Sequence, residues 1–324
     1  MAIKLDVKDK KIIYELGLDS RQSYADLGKK VKVSKEVAQY RTKQLLDLGV
    51  IFRFVAIFNT SKLGYALHKI FIKLHNMNQN IKQQMVLDLK NNKDILWIAE
   101  CDGSFDLGLM IYAKTPYELD SKLASVYEKY ASYIQKKELS TNIKGEYFER
   151  KYLSEKINET RKEQKYGEGD TTFNLDEHDY KILNELNSDS RKNSIEIAKK
   201  LPIKSDAVRN RIKKLEQENI INSYSIILNN NIIGQIQYKI LIELQDLSHK
   251  TFLALREFCI HNKRIVYMIK SLGRWDIELD IETETPEQYR DIMMKLYEAI
   301  PNKIKNSETL IIYKIHEYRW LPKV

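Results

Sequence analysis

The sequence predicts an α+β fold built twice, in which a winged helix-turn-helix is followed by a ferredoxin-like βαββαβ sandwich. Three observations predict it. The segment that begins at Leu5 recurs from Leu175, and matching residues continue at the same offset as far as Tyr127 and Tyr297. The first part of each copy has apolar residues at helical spacing. The remainder of each copy alternates strand-like and helix-like segments. A repeat this long makes each copy a complete module rather than a solenoid turn.

The repeat divides the chain into five segments. Two short units are predicted as winged helix-turn-helix domains, and two longer ones as ferredoxin-like domains. A charged stretch that is nearly free of aliphatic residues separates the copies and is predicted to be a helical or flexible linker on the surface. The predicted domains are 1–60, 61–152, 174–230 and 231–324, and the linker is 153–173.

The first part of copy one predicts three helices separated by tight turns. Apolar residues at Ile12, Ile13 and Leu16 mark the first helix. Ser23 is a good N-cap for a short second helix. The third helix is predicted over about 34–48, with Gly49 at the left-handed position that ends it.

Copy two repeats the three helices with small differences. Asn219 replaces Gly49 at the end of the third helix. Ser205 stands one position later than Ser34, so the start of this helix is predicted only to within a residue. The segments that follow, 51–58 and 221–228, have strand-like composition and are predicted to form wings.

The second part of each copy predicts the order βαββαβ, which gives one sheet with two helices on a single face. Thr-Pro pairs at 115–116 and 285–286 open the second helix of each sandwich, because Thr caps well and Pro suits the first helical position. The predicted strands of copy one are 67–75, 95–101, 105–113 and 136–149, and those of copy two are 238–245, 265–272, 275–283 and 306–319.

Composition narrows the class of protein. The chain has 324 residues, 43% hydrophobic and 31% charged, with 5 Pro and 11 Gly, which excludes disordered and collagen-like chains. No apolar run is long enough for a membrane span or a signal peptide, and 2 Cys give no disulfide framework. We therefore expect a cytoplasmic protein without a membrane partner. The net charge of +9 permits a polyanionic partner.

Ordered motifs in both copies resemble those of the Lrp/AsnC family of prokaryotic transcription regulators. They include Leu-Asp before the first helix, Asp-Ser-Arg after it and a Gly-x-aromatic-Asp turn in the sandwich. These motifs are Leu5-Asp6, Asp19-Ser20-Arg21, Leu175-Asp176, Asp189-Ser190-Arg191, Gly103-Ser104-Phe105-Asp106 and Gly273-Arg274-Trp275-Asp276. Family members usually carry one such unit per chain, so the resemblance implies that the two sandwich domains here pair within one chain. It leaves further assembly into homo-oligomers open.

The resemblance implies double-stranded DNA as the partner, with the third helices in the major groove. The candidate DNA-binding residues are Lys35, Gln39, Tyr40, Arg41, Lys43, Gln44, Lys204, Ser205, Arg209, Asn210, Arg211, Lys213 and Lys214, with Arg53 in the first wing as a phosphate contact. An ordinary solvated helix face is the alternative. For Arg41 and Arg211, a structural role facing the first helix or a backbone phosphate is as open as base reading. Because the two helices differ at most exposed positions, we expect an asymmetric operator.

The Gly-x-aromatic-Asp turns have two interpretations. In the structural one, Gly permits a left-handed turn between antiparallel strands and Asp accepts backbone hydrogen bonds. In the functional one, which the resemblance implies, these turns border a pocket for an amino acid or a related small metabolite where two sandwich domains meet. The effector-binding candidates are Gly103, Ser104, Phe105, Asp106, Gly273, Arg274, Trp275 and Asp276.

An enzymatic function is the less favoured alternative. The 6 His and 2 Cys do not match between the copies, and no metal-ligand spacing, phosphate loop or nucleophile elbow is present. We therefore predict no catalytic residue, metal site or cofactor. Sirohaem decarboxylases of haem biosynthesis share the two-domain architecture, and Arg53-Phe54 with Leu63-Gly64-Tyr65 weakly resembles them, with His68 nearby. These short matches also fit ordinary regulators. A ligand-sensing or assembly partner that has lost DNA binding is the third possibility.

Overall fold

The computed structural model describes residues 2–154, 164–167 and 173–321. The first copy begins with a head of three helices and one strand, and continues with the sandwich elements and a short extra strand. These elements are α1 (Val7–Leu18), α2 (Tyr24–Val31), α3 (Lys35–Asp47), β1 (Ile51–Phe58), β2 (Ala66–Leu74), α4 (Gln79–Asn91), β3 (Ile95–Gly103), β4 (Leu107–Ala113), α5 (Pro116–Tyr130), β5 (Ile134–Tyr147) and β6 (Gln164–Tyr166).

The second copy has the same order of helices and strands. Its elements are α6 (Glu177–Ser188), α7 (Ser194–Ala198), α8 (Ser205–Gln217), β7 (Ile221–Leu228), β8 (Ile236–Leu244), α9 (His249–His261), β9 (Ile265–Gly273), β10 (Ile277–Thr283), α10 (Pro286–Ala299) and β11 (Ile304–Tyr318). We call α1–β1 head one and α6–β7 head two. The predicted α+β fold is confirmed, with helix-turn-helix heads and a large antiparallel sheet.

The two strands predicted as wings pair with each other instead. β1 and β7 form an antiparallel ribbon in which Val55 lies opposite its own counterpart, Ser225. α1 lies against β7 and α6 against β1, so each head packs on the strand of the other. Ile226 of β7 joins the core of head one, and Ile57 of β1 joins the core of head two. The ribbon therefore joins the heads, which corrects the expectation of two separate wings.

The two sandwich sheets join into a closed ring of eight strands. The order is β5-β2-β4-β3-β11-β8-β10-β9, and β9 returns to β5. The long last strands make the two joins, because β11 pairs with β8 through its first half and with β3 through its second. β5 does the same with β2 and β9. We call this ring the barrel; closure leaves neither sheet with a full unpaired edge strand.

Strand alternation separates an inner core from two outer ones. Residues such as Ile70 and Ile72 face α4 and α5, and the corresponding layer of the second sheet faces α9 and α10. Phe71, which alternates with these residues along β2, and Phe105, in the turn between β3 and β4, point into the barrel. Trp275 from the other sheet meets Phe105 there edge-on, with ring centroids 6.0 Å apart.

Four charged side chains share the barrel interior. Lys69 Nζ lies 2.6 Å from Glu278 Oε2, and Lys239 Nζ lies 3.3 Å from the same oxygen and 2.5 Å from Asp280 Oδ1. Burial lowers the pKa of Lys69 to about 8 despite the attraction of Glu278. Two cations and two anions balance, which is the condition for burying charge without a large penalty.

The described part of the linker is not on the surface. β6 pairs with β5 along Gly145–Tyr147, and Tyr166 is only 3% exposed. The Tyr166 ring lies directly over Gly145, where a Cβ would come within 2.1 Å of it. Tyr166, an aromatic side chain in a charged segment, is therefore part of the inner core. The remaining linker residues, 155–163 and 168–172, lie outside the described part of the chain.

No described helix is long and apolar enough to cross a bilayer.

Candidate nucleic-acid interface

Helix α3 presents a mostly polar surface to solvent. Ser34 caps it by accepting a hydrogen bond from the Val37 N–H, and Gly49 ends it at a φ of +71°. Thr42 and Leu45 face the core of head one. Five of the six candidates on this helix are exposed, namely Lys35, Gln39, Tyr40, Lys43 and Gln44. Tyr40 is 67% exposed, so its ring is accessible on the same surface as these polar side chains.

Helix α8 begins at Ser205, at the position equivalent to the first residue of α3. Lys204 occupies the N-cap and makes no capping hydrogen bond with its side chain, so Ser205 is not the cap. Val208, Ile212 and Leu215 face the core. The exposed candidates are Lys204, Arg209, Asn210, Lys213 and Lys214, and Ser205 is half-buried. Arg209 pairs with Asp206 on the same exposed surface, and its own side chain is two-thirds exposed and accessible to a phosphate or base.

Arg41 and Arg211 turn back toward the first helix of their own heads. Arg41 Nη1 donates to Asp6 Oδ2 at 2.7 Å and to Asp9 Oδ1 at 2.8 Å. Hydrogen bonds to Asp6 and then Asp9 raise the pKa of the Arg41 guanidinium. Arg211 makes the same pair of bonds with Asp176 and Asp179. Because these aspartates also cap α1 and α6, the geometry favours the structural interpretation of both arginines.

Arg53 does not face outward from a wing. Its Nη1 donates to the Tyr318 carbonyl at 3.0 Å and lies 3.1 Å from Glu317 Oε1, both at the end of β11. The pairing of β1 with β7 turns this side chain toward the barrel. Arg53 therefore belongs to the contact between ribbon and barrel and not to the exposed surface of a wing.

The Asp-Ser-Arg motifs fix one head against the other, a role that the sequence did not reveal. Ser20 Oγ and Ser190 Oγ lie 2.8 Å apart and are counterparts at the repeat offset of 170. Arg21 donates to the Ser190 carbonyl, and Arg191 donates to the Ser20 carbonyl. Each guanidinium also stacks on an aromatic ring of the ribbon, Arg21 on Tyr224 and Arg191 on Phe54. The motif's recurrence outside the recognition helix is the signal that points to this contact.

The start of each head is bound to the opposite copy. The Ile3 N–H donates to the Ile232 carbonyl at 2.6 Å, and the Phe173 N–H donates to the Lys62 carbonyl at 2.7 Å. Both carbonyls lie in the short turns that lead from the ribbon into the barrel. Together with the arginine contacts, these bonds hold α3 and α8 in one fixed relation, as a reader of two adjacent half-sites requires.

The Gly-x-aromatic-Asp turns lie where the two sheets join. Gly103 has a φ of +122°, and a Cβ there would meet the Thr309 carbonyl of β11 at 2.5 Å. Asp106 Oδ2 accepts the Leu74 N–H at 2.7 Å, and Asp276 accepts the Leu244 N–H at 2.8 Å. Phe105 and Trp275 are buried inside the barrel. These contacts match the structural interpretation of the turns.

The two variable positions of these turns differ in their surroundings. Ser104 is exposed, whereas Arg274 pairs with Glu138 of β5 and Glu308 of β11. Arg274 therefore spans a seam between the two copies. A cavity beside Phe52 and β11 lies elsewhere, and no residue of either turn lines it.

The residues of the enzymatic alternative also have structural contacts. His68 Nδ1 lies 2.9 Å from Thr141 Oγ1 across the β2–β5 ladder. Gly64 supplies a left-handed residue, with a φ of +75°, in the turn after β1. Burial raises the pKa of the Cys101 thiol to about 12, so it stays protonated at neutral pH. Within the described residues, no three His, Cys, Asp or Glu side chains form a group that would hold a metal ion.

Comparison with known proteins gives two kinds of match. An AsnC-type helix-turn-helix domain model matches residues 5–46, and a winged helix-turn-helix DNA-binding model matches residues 175–222. An HTH-type transcriptional regulator of Pyrococcus furiosus is 30% identical over 119 residues, which cover 37% of this chain and 79% of that protein. Transcriptional regulator AzlB of Bacillus subtilis is 31% identical over 115 residues, covering 35% and 73%.

A solved structure extends the match to nearly the whole chain. The crystal structure of the siroheme decarboxylase NirDL aligns with 96% of this chain and 92% of its own, at a TM-score of 0.61 and 11% sequence identity. At that identity the likeness concerns the fold alone, and a shared fold does not imply a shared function.

Proposed function

The chain belongs to the Lrp/AsnC family of helix-turn-helix transcription regulators, and from this premise we propose that its two unlike heads read one asymmetric DNA site. The tandem duplication takes the place of a dimer in this proposal. The observation that carries it is the pair of exposed recognition helices, α3 and α8, held together by the ribbon and the Arg21 and Arg191 contacts. A symmetric dimer reads a palindrome because its heads are identical. The two heads of this chain differ at most of the exposed positions of their recognition helices.

The exposed faces of the two helices carry different reading chemistry. Gln39 and Tyr40 in α3 stand where α8 has Arg209 and Asn210. Gln and Asn suit adenine edges, whereas Arg suits guanine. Lys43 and its counterpart Lys213 are the same residue in both heads, which suits a phosphate contact in each half-site.

Selection from a random duplex pool, followed by fluorescence anisotropy over a salt series, tests the proposal. Two double variants address the heads separately: Gln39→Ala with Lys43→Ala, and Arg209→Ala with Lys213→Ala. The matched control is Lys295→Ala, which removes an exposed cation from α10. We expect each head variant to lose about 1–3 kcal/mol of binding and to relax sequence preference in its own half of the site. The control should bind like the parent chain.

Two results would count against the proposal. One such result is a perfectly palindromic selected motif for which both double variants lose affinity at the same half-sites. It would mean that like heads from two chains pair on DNA. Absence of duplex binding even at low salt would remove the DNA-reading function itself, because phosphate neutralisation alone gives measurable affinity there.

We further propose that DNA binding responds to an amino acid or a related small metabolite. Family membership supports this proposal, and the intrachain barrel gives a site from which a ligand can act on both heads. A ligand changes DNA affinity only if it binds one arrangement of the heads better than another. Anisotropy with the selected duplex, repeated in the presence of each common amino acid, would measure the response.

A further inference from the structure

The two copies differ beside their last strands. In copy one, the edge of β5 beyond β2 is covered by β6, which pairs with Gly145 and Tyr147. Two side chains hold this segment by its backbone. Asn59 Oδ1 accepts the Gly167 N–H at 3.1 Å, and Asn222 Nδ2 donates to the Lys165 carbonyl. The slot is therefore built to recognise backbone N–H and C=O groups.

The corresponding slot of copy two contains a cavity of about 230 Å³. It lies where β11 passes beyond the end of β8, and none of the described strands covers that edge. Asn229 stands at the position of Asn59, Phe52 at that of Asn222 and Lys314 at that of Lys144. The slot of copy two thus has one asparagine at an equivalent position, Asn229, and an aromatic side chain, Phe52, in place of the other asparagine.

Polar groups around the cavity have unused capacity. Within the described residues, the Asn229 side chain makes no hydrogen bond and Lys314 makes no ion pair, and both line the cavity. Asn231 and Gln237 also line the cavity, but Asn231 Nδ2 already donates to the Tyr313 carbonyl and Gln237 Oε1 accepts from Asn230 Nδ2. An amide oxygen accepts from a cationic amine, and a lysine ammonium binds a carboxylate. This combination suits a molecule that carries both groups.

The size and shape of the slot favour a small molecule over a peptide strand. Its volume lies below the roughly 300–1,000 Å³ of most drug-sized sites. Ile315 replaces Gly145 at the position where Tyr166 lies flat in copy one. Since a Cβ at Gly145 would overlap that ring, the copy-two slot rejects the linker segment of a second chain.

We propose that this cavity is an effector site for a free amino acid or a comparably small amino-carboxylate, with its ammonium on Asn229 and its carboxylate on Lys314. The regulatory consequence rests on the proposed function. Phe52 belongs to the ribbon, Asn229 to the turn between ribbon and barrel, and Lys314 to the barrel. A ligand there would brace the heads against the barrel in copy two, as β6 does in copy one, and would therefore shift the arrangement of the heads.

Isothermal titration calorimetry of the full chain with each of the twenty common amino acids tests the site. We expect at least one to bind, and we expect Asn229→Leu and Lys314→Ala each to weaken binding by about tenfold or more. Asn229→Leu keeps the side-chain size and removes only its polar atoms. Lys295→Ala is again the control and should bind the ligand normally. Circular dichroism and the thermal midpoint establish that the variants are folded.

The outcomes separate the site from the proposed function. If no amino acid binds, or if both cavity variants bind as the parent does, the assignment of this cavity is wrong. If binding is instead lost in Asp276→Asn, the ligand sits at the Gly-x-aromatic-Asp turn. A ligand that binds in the cavity and leaves operator affinity unchanged overturns the effector role. Operator binding is measured without ligand, so failure of the cavity proposal leaves the DNA result intact.

Discussion

Glu278 is the residue on which the buried charge cluster of the barrel depends. It is fully buried and accepts from both Lys69 and Lys239. Its own pKa is lowered, because the two lysines outweigh the opposing effect of burial. A carboxylate in this position has no route to solvent, so the energy of the cluster depends on all four partners being present.

Removing this charge should destabilise the protein strongly. Glu278→Gln leaves two buried ammonium groups with one carboxylate, and loss of one partner from a buried pair costs about 3–5 kcal/mol. We expect the urea midpoint to fall accordingly. The exposed Glu287→Gln on α10 changes charge equally and should stay within about 0.5 kcal/mol of the parent. Equal midpoints for both variants would show that the cluster adjusts without cost.

Glu100 predicts an acid-sensitive contribution to stability. Its carboxylate accepts from Lys82, Tyr313 and His316 at the join between β3 and β11. Burial alone would raise its pKa, but these three hydrogen bonds lower it from 4.5 to about 2. A lowered pKa contributes stability above pH 4.5 that is lost as the pH falls toward 2.

Glu100 should contribute about 2 kcal/mol to the free energy of unfolding, after allowance for solvent screening of its contacts with Lys82, Tyr313 and His316. Urea midpoints measured from pH 6 to pH 3 should therefore fall less steeply for Glu100→Gln than for the parent chain. The same slope in both proteins would mean that other carboxylates account for the acid sensitivity.

At the scale of single elements, the sequence predicted local structure well. Gly49 and Asn219 were assigned to the left-handed ends of α3 and α8, and both have positive φ, of 71° and 52°. Thr115 and Thr285 cap α5 and α10 as expected. Periodicity and capping depend on neighbours within one turn of helix, which a single sequence contains.

Contacts between distant segments could not be predicted in the same way. The strand character of β1 and β7 was evident, but nothing local says that they pair with each other. Arg53 was misplaced for that reason, and burial of Tyr166 from the linker was missed. The exposed candidates on α3 and α8 were found because a helix of known phase shows which residues face outward.

Helix α8 offers a test of capping. Lys204 holds the N-cap without a side-chain hydrogen bond, whereas Ser34 caps α3. Lys204→Ser should stabilise the protein by about 1 kcal/mol by bonding a free N–H in the first turn. Lys204→Ala removes the same charge without providing a cap, and it separates the two effects. If thermal midpoints rise equally for both variants, charge rather than capping is the cause.

At the scale of the whole molecule, the barrel closes only when two different halves meet. The first half supplies Lys69, and it has Gly108 and Met110 where the second half has Glu278 and Asp280. Two first halves would bury two lysines without an acid, and two second halves would bury an excess of carboxylate. Only the pairing of a first half with a second half balances the buried charges. The interior charges therefore favour this pairing over two first halves or two second halves.

Splitting the chain tests this selection. Residues 1–160 and 161–324, co-expressed as separate polypeptides with different tags, should form a one-to-one complex of unlike halves. Size-exclusion chromatography with light scattering gives the mass, and capture through each tag gives the composition. Recovery of like pairs in statistical proportion would show that the charge cluster does not discriminate. Glu278→Gln in the second half should shift the distribution toward like pairs.

Ser20 contacts its own counterpart, Ser190, so an approximate twofold axis passes between two residues that lie 170 positions apart in one chain. In an assembly of identical subunits every substitution occurs twice, so any change on the axis must be compatible with its own copy. Two halves within one chain have no such restriction. One half carries Glu278 and Asp280, the slot of the other holds β6, and the exposed faces of α3 and α8 differ. Covalent continuity therefore allows two parts related by an approximate twofold axis to differ in their interiors and on their surfaces.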